Sequence, residues 1–305
     1  GGALGASTFH LVDGFANVQL NGILPDHART GDADPYIAVT VVQGAGRVTA
    51  YGSVIDNRTG DAVFITGATP EVTPFLLIPV VAHTQGQAGT EWKTDLRVLN
   101  HGSFSVHIDA ELRFQGALAV PPVIETFALQ PGEAVTIEDV VGSFFGYSSV
   151  VGSLRLVPRE GPAALCATSR TANHGSIGTY GQYVPSLTPD QGLRGSGVLI
   201  HVEKQAGTRS NLGIVETDGK SVRVTIEIFD ELGLPLGSVT RMTLGAWESI
   251  QINDVFSALG APGNSNARVE ITRESGAGAF FAYASVIDAD SGDAIFVPNL
   301  ELPAN

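Results

Sequence analysis

"VHIDAELRF" (Val106–Phe114) and "VRVTIEIFD" (residues 222–230) decide the fold class. In the first, Val106, Ile108, Ala110 and Leu112 alternate with His107, Asp109, Glu111 and Arg113. In the second, Val222, Val224, Ile226 and Ile228 hold the apolar places. A period of two sends one set of side chains to a core and the other to water, which is a half-buried β-strand. Working outward, Leu154 and Leu156 flank Arg155, and Val269 and Ile271 flank Glu270. About seven such runs fall in each stretch of roughly 115 residues, bounded by Gly, Pro, Asn or Asp. That density predicts an all-β protein of antiparallel, immunoglobulin-like β-sandwich units. With a single cysteine, Cys166, no disulfide pins the immunoglobulin topology. Two short helices are predicted, within residues 137–146 and 252–260.

The runs repeat. "YGSVIDNRTGDAVFI" (51–65) and "YASVIDADSGDAIFV" (283–297) are nearly one phrase, and "ATSRTANHGSIGTYGQYVP" (167–185) is a weaker third copy. Ser53, Ser169 and Ser285 are spaced by 116 residues each and read as equivalent places. Upstream, "VTVVQGAGRVTAY", "LRLVPREGPAALCAT" and "VEITRESGAGAFFAY" correspond, as do "FHLVDGFANVQLNGIL", "FALQPGEAVTIEDVV" and "MTLGAWESIQINDVF". Each of these reads as strand, turn, strand. Further upstream only two copies remain: "LLIPVVAH" with "GVLIHVEK", and "TDLRVLNHG" with "SNLGIVETDG". The expectation is a partial sandwich unit over 1–69, lacking its first strands, and full units over 70–187 and 188–305. A period this long exceeds a solenoid repeat and matches a small domain.

The duplicated phrase predicts a hairpin turning at "DNRTGD" and "DADSGD". The strand entering it has Tyr51, Ser53 and Ile55 on one side and Ala50, Gly52 and Val54 on the other. A strand wetted on one face should alternate more cleanly, so cover on both faces is expected.

Composition excludes several function classes. The net charge of −14 and only 17 basic residues disfavour nucleic acid and anionic membrane surfaces as partners. No apolar run is long enough for a membrane-spanning helix. The seven histidines show no zinc-ligand spacing, and neither a nucleophile elbow nor a phosphate-binding loop occurs. "DADSGD" has neither a glycine at the sixth place nor a distal glutamate in the register of a calcium loop, so the hairpin turn is the better reading. Cys166 sits in an apolar run and reads as an inert buried thiol. Neither catalytic residue, metal nor cofactor is expected, and the chain reads as non-enzymatic. "NRT" (57–59) is a glycosylation sequon at a hairpin tip.

Candidate interface residues are Trp247, Tyr51, Ile55 and Phe9. Trp92 shares parity with Leu96 and Val98 and should pack inward. Trp247 shares parity with Ser249 and Gln251, opposite Ile250 and Ile252, which predicts an exposed anchor. The N-terminal "GGALGASTF" is small and uncharged, suited to insertion as a donated strand.

"GTEWKTDLRVLNHGSFSVHIDAELRF", "LQPGEAVTIEDVVGSFFG" and "ATSRTANHGSIGTYGQYVP" together resemble a repeat of secreted, uncharacterised bacterial surface proteins. The resemblance implies an extracellular β-sandwich repeat and carries no catalytic residues. "GTRSNLGIVETDG" departs from it, lacking the Trp and the Asp. The leading expectation is an extracellular structural protein whose partners are copies of itself. The alternative is an adhesion or carbohydrate-binding module that recognises a glycan or another surface protein.

Overall fold

The computed structural model describes residues 7–23, 36–86, 89–117, 120–174 and 178–303. Over these residues the chain is nearly all-β, with antiparallel sheets throughout. The first hairpin is β1 (Tyr51–Ile55) and β2 (Ala62–Thr66), paired only with each other. Nine strands follow: β3 (Glu71–Thr73), β4 (Leu76–Gln85), β5 (Glu91–Asn100), β6 (Val106–Phe114), β7 (Val123–Leu129), β8 (Ala134–Ile137), β9 (Val150–Pro158), β10 (Ala163–His174) and β11 (Thr179–Pro185). Nine more complete the fold: β12 (Ser196–Lys204), β13 (Thr208–Glu216), β14 (Val222–Phe229), β15 (Pro235–Leu244), β16 (Ser249–Ile252), β17 (Asn264–Gly276), β18 (Phe280–Asp288), β19 (Ala294–Pro298) and β20 (Leu300–Leu302).

The second and third sets share one pairing plan. β6 and β4 flank β9, as β14 and β12 flank β17. β8 and β10 flank β5, as β16 and β18 flank β13. The difference lies at one corner. The end of β4 crosses over to pair with β5 (His83↔Lys93 to Gln85↔Glu91), joining both layers into one sheet. Between β12 and β13 there is an isolated Gln205–Thr208 bridge, with Ser210 Oγ bonded to the Glu203 backbone, but no ladder among the described residues, so their layers are separate sheets. Inner side chains form two cores: Ile78, Leu96, Ile108, Leu112, Leu154 and Leu156 in one, and Leu199, Leu212, Ile226, Val269, Ile271 and Phe280 in the other. Each fully buried aliphatic or aromatic side chain contributes about 1.5–3 kcal/mol. Strands β3 and β20 are three residues long, too short for alternation to reveal. They help to raise the expected seven or so strands per unit to nine among the described residues.

Both predicted helical turns exist. One is a π-helical turn at Val140–Phe144, and the other is α1 (Val255–Ala258). Each begins after a left-handed aspartate, Asp139 or Asp254, whose side chain accepts a backbone N–H of the turn. The ends of β4 and β12 each supply a nitrogen to a cap: His83 Nδ1 lies 2.8 Å from Asp139, and Lys204 Nζ 2.7 Å from Asp254.

The first segment departs from expectation. Residues 7–23 and 36–50 contain no strand. Their counterparts β16, β15 and β17 are held by β13, β14 and β12, for which this segment has no equivalents among the described residues. Among the described residues of this segment only β1 and β2, which are each other's partners, form.

Candidate assembly interface

Hairpin β1–β2 is built by its turn. Asp56 N–H donates to the Asp61 carbonyl at 2.8 Å, and Gly60 N–H donates to the Asp56 carbonyl at 2.8 Å. Gly60 takes φ 78°, a left-handed conformation that a Cβ disfavours. In β18–β19 the same bonds join Asp288 to Asp293 and Gly292 to Asp288. The "DADSGD" stretch is therefore a hairpin turn, with the Asp288 carboxylate accepting from Ser291 N–H at 2.7 Å and Ser291 Oγ at 2.8 Å. Asn57 of the sequon stands exposed in the first turn.

The first hairpin leans on β10–β11. Asp56 Oδ2 accepts from Thr179 N–H at 3.0 Å, and Arg58 N–H donates to Asp56 Oδ1 at 2.8 Å. These backbone donors hold the Asp56 carboxyl down at about 2. Asp61 is almost fully buried and meets Arg170 at 3.1 Å. The third hairpin reaches the same place. Burial, and then the charge of Asp61, push the Asp293 carboxyl up. A Cβ on Gly292 would stand 2.8 Å from Asn173.

The third segment also packs broadly on the second. Val215, Phe281 and Tyr283 belong to the core cluster that contains Leu77 and Leu187, with Phe75 and Phe296 packed against it. Tyr283 stacks on Phe296 at 5.1 Å and is 3% exposed. The Tyr283 ring covers Gly213 so closely that a Cβ there would lie 2.0 Å from it. Trp247 is half-buried in this interface, edge-on to Phe75 at 5.2 Å with Arg155 over its ring at 4.1 Å. Glu216, fully buried, receives the Trp247 N–H at 2.8 Å. Burial, and then the shared hydrogen bond with Asp218, raise its carboxyl. Gly116 N–H to the Ser249 carbonyl at 3.1 Å and Gln182 Nε2 to Ser285 Oγ at 2.9 Å complete the seam.

Half-buried Trp247 and Phe296 and buried Tyr283 have matched partners in the first segment, 232 positions earlier: Phe15 for Trp247, Tyr51 for Tyr283, and Phe64 for Phe296. Phe15 and Trp247 share an unusual backbone, with φ 61° and 60°. Tyr51 and Phe64 stack at 4.9 Å, as Tyr283 and Phe296 do at 5.1 Å. Yet Tyr51 is 59% exposed, and Phe15 and Phe64 are exposed as well. The core-facing residues behave alike: where the first copy's turn is two residues shorter the spacing is 230, so that Val39 and Val41 correspond to Val269 and Ile271, and Val39 is 59% exposed where Val269 is 0%.

The predicted interface residues thus separate. Tyr51 and Ile55 lie together on the exposed hairpin. Phe9 is exposed on a strandless stretch, and residues 1–6 of the proposed donated strand lie outside the described residues. Trp247 is not a solvent-facing anchor, because Arg155 and Phe75 cover it. Trp92 lies half-buried over Gly86. Phe15 and Phe64 belong with Tyr51 and Ile55, and the 232-residue spacing to Trp247 and Phe296 is the signal in the sequence that marks both. The three serines are also not equivalent. Leu96 pairs with Ser169, whereas its counterpart Leu212 pairs with Ala284, so Arg170 occupies the place of Ser285. The middle copy is shifted by one residue, and its turn is built differently.

Among the described residues no cluster of His, Cys, Asp and Glu could hold a metal, and no helix is long and apolar enough to cross a membrane. Cys166 is a free, half-buried thiol whose ionisation burial opposes. No protein-family model matches the chain, and no curated protein matches it in sequence.

Proposed function

We propose that the chain is a non-enzymatic, extracellular structural protein that self-assembles into a filament or surface array. Residues 70–187 and 188–305 are read as tandem immunoglobulin-like sandwiches, and the exposed apolar side chains of Val39, Val41, Tyr51, Ile55 and Phe64 as a surface that a neighbouring subunit covers. In support of this reading, the strand ladders run within each segment, and each of the two full segments supplies most of one core, with Val215, Phe281 and Tyr283 of the third joining that of the second.

One observation carries the proposal. Val39 and Val41 present to solvent the side chains that Val269 and Ile271 bury in a core. A surface of core-type residues beside unpaired backbone is the kind that recruits another chain. The glycan-binding alternative loses its platform, since Trp247 is occupied by Arg155. The test is sedimentation velocity across a concentration series, with electron microscopy of the concentrated protein. Growth into regular oligomers or filaments supports the proposal, and a stable monomer at every concentration overturns it.

A further inference from the structure

We propose that Phe15, Tyr51 and Phe64 dock on a second copy of this chain, against the outer face of β12, β17 and β20 around Val198, Ile200 and Leu300. This rests on the self-assembly reading and adds its partner surface.

The chain already contains the contact once. Trp247, Tyr283 and Phe296 are the matched set, and they sit with Leu77, Leu187, Phe75 and Arg155. Leu77 pairs across the sheet with Arg155 on one side and Leu187 on the other. In the third segment Val198 holds that place, pairing with Glu270 and Leu300. The two faces share one cross-strand plan. In every copy the Leu77–Leu187 face is covered by the chain's own third segment. On the matching face of the third segment Val198 itself is buried at 8%, while Ile200 and Leu300 beside it are each 52% exposed. Glu270 is already paired with Arg268 at 2.7 Å, so docking buries no lone acid at that position.

Donor and acceptor are different surfaces at opposite ends of the chain. Such a contact is heterologous, and unless the rotation closes a ring it propagates as a filament.

The full chain, as wild type and two variants, tests this by sedimentation velocity, with circular dichroism confirming that each is folded. Phe15→Ser/Tyr51→Ser/Phe64→Ser removes the donor face, and Ile200→Asp/Leu300→Asp removes the acceptor. Each variant alone is expected to lose self-association. Mixed in equal amounts they should form a dimer and stop there, because one intact interface remains between them. If the wild type assembles but either variant assembles as well as it does, or the mixture stays monomeric, the docking inference is overturned while self-assembly stands. A wild type that never associates overturns both.

Discussion

The hairpins β1–β2 and β18–β19 have almost the same sequence and the same turn hydrogen bonds, yet they live in different surroundings. Around Tyr283, both faces of β18 are buried: Phe280, Ala282 and Ala284 line one core, and Phe281 and Tyr283 pack on the neighbouring segment. Around Tyr51, both faces are largely open, with Val54 and Ile55 also exposed. The local code for the hairpin is sufficient to build it, and the energetic worth of its side chains is decided elsewhere. The two-sided apolar pattern that predicted cover is satisfied in the third copy and unsatisfied in the first.

The comparison breaks most sharply under truncation of the aromatic pair. Tyr283→Ala should cost about 3–5 kcal/mol in urea unfolding, whereas Tyr51→Ala in dilute monomer should change stability by less than about 0.5 kcal/mol. Equal losses would mean that the first hairpin is covered in solution. The core-facing pair should follow: Ile271→Ala is expected to cost about 2–5 kcal/mol and Val41→Ala almost nothing, measured in the same way. Next comes Gly213→Ala, where the new methyl meets the Tyr283 ring. A loss of about 1–3 kcal/mol is expected, partly relieved in the double variant with Tyr283→Ala. Arg155→Lys keeps the charge but loses the planar stacking on Trp247, for about 1 kcal/mol.

The smallest effects are in pH dependence, and they have opposite signs at the two turns. Asp56 is held at about 2 against an ordinary 3.8, so its contribution is complete above pH 3.8 and disappears as the pH falls through about 2. Asp56→Ala should flatten the acid limb of stability and speed proteolysis at the hairpin. Asp293 is raised, so its contribution is present below the ordinary 3.8 and is lost as the pH rises through its folded value. Asp293→Asn should therefore leave the protein at least as stable as wild type at neutral pH, and an unfolding series at pH 3 and pH 7 would show it.

Much of the architecture was legible in the residues. Alternation in Val106–Phe114 and in 222–229 marks half-buried strands because a strand's side-chain period is fixed by its backbone. The Asp–Gly turns of both hairpins, and the two short helices after Asp139 and Asp254, are also local. The candidate interface was legible only in part. Tyr51 and Ile55 were found from their strand, while Phe15 and Phe64 needed comparison with their buried counterparts. Trp247 was misread because parity with Ser249 says which way a side chain leaves the strand and not what lies there. Its backbone is left-handed at φ 60°, which turns it out of the strand's alternation and toward Arg155.

By itself the sequence determined what is short-range: strand periodicity, turn chemistry, the spacing of the repeat, and a composition unsuited to nucleic acid. Tertiary structure alone decided which of these strands exist and which apolar faces are covered. The residues of 36–50 carry the same apolar rhythm as β17, but a strand's hydrogen bonds are made with other strands. β17 has β12 and β14 on either side, and 36–50 has no such neighbours among the described residues. For the same reason one aromatic pair is core and its twin is surface: burial belongs to the partner as much as to the residue.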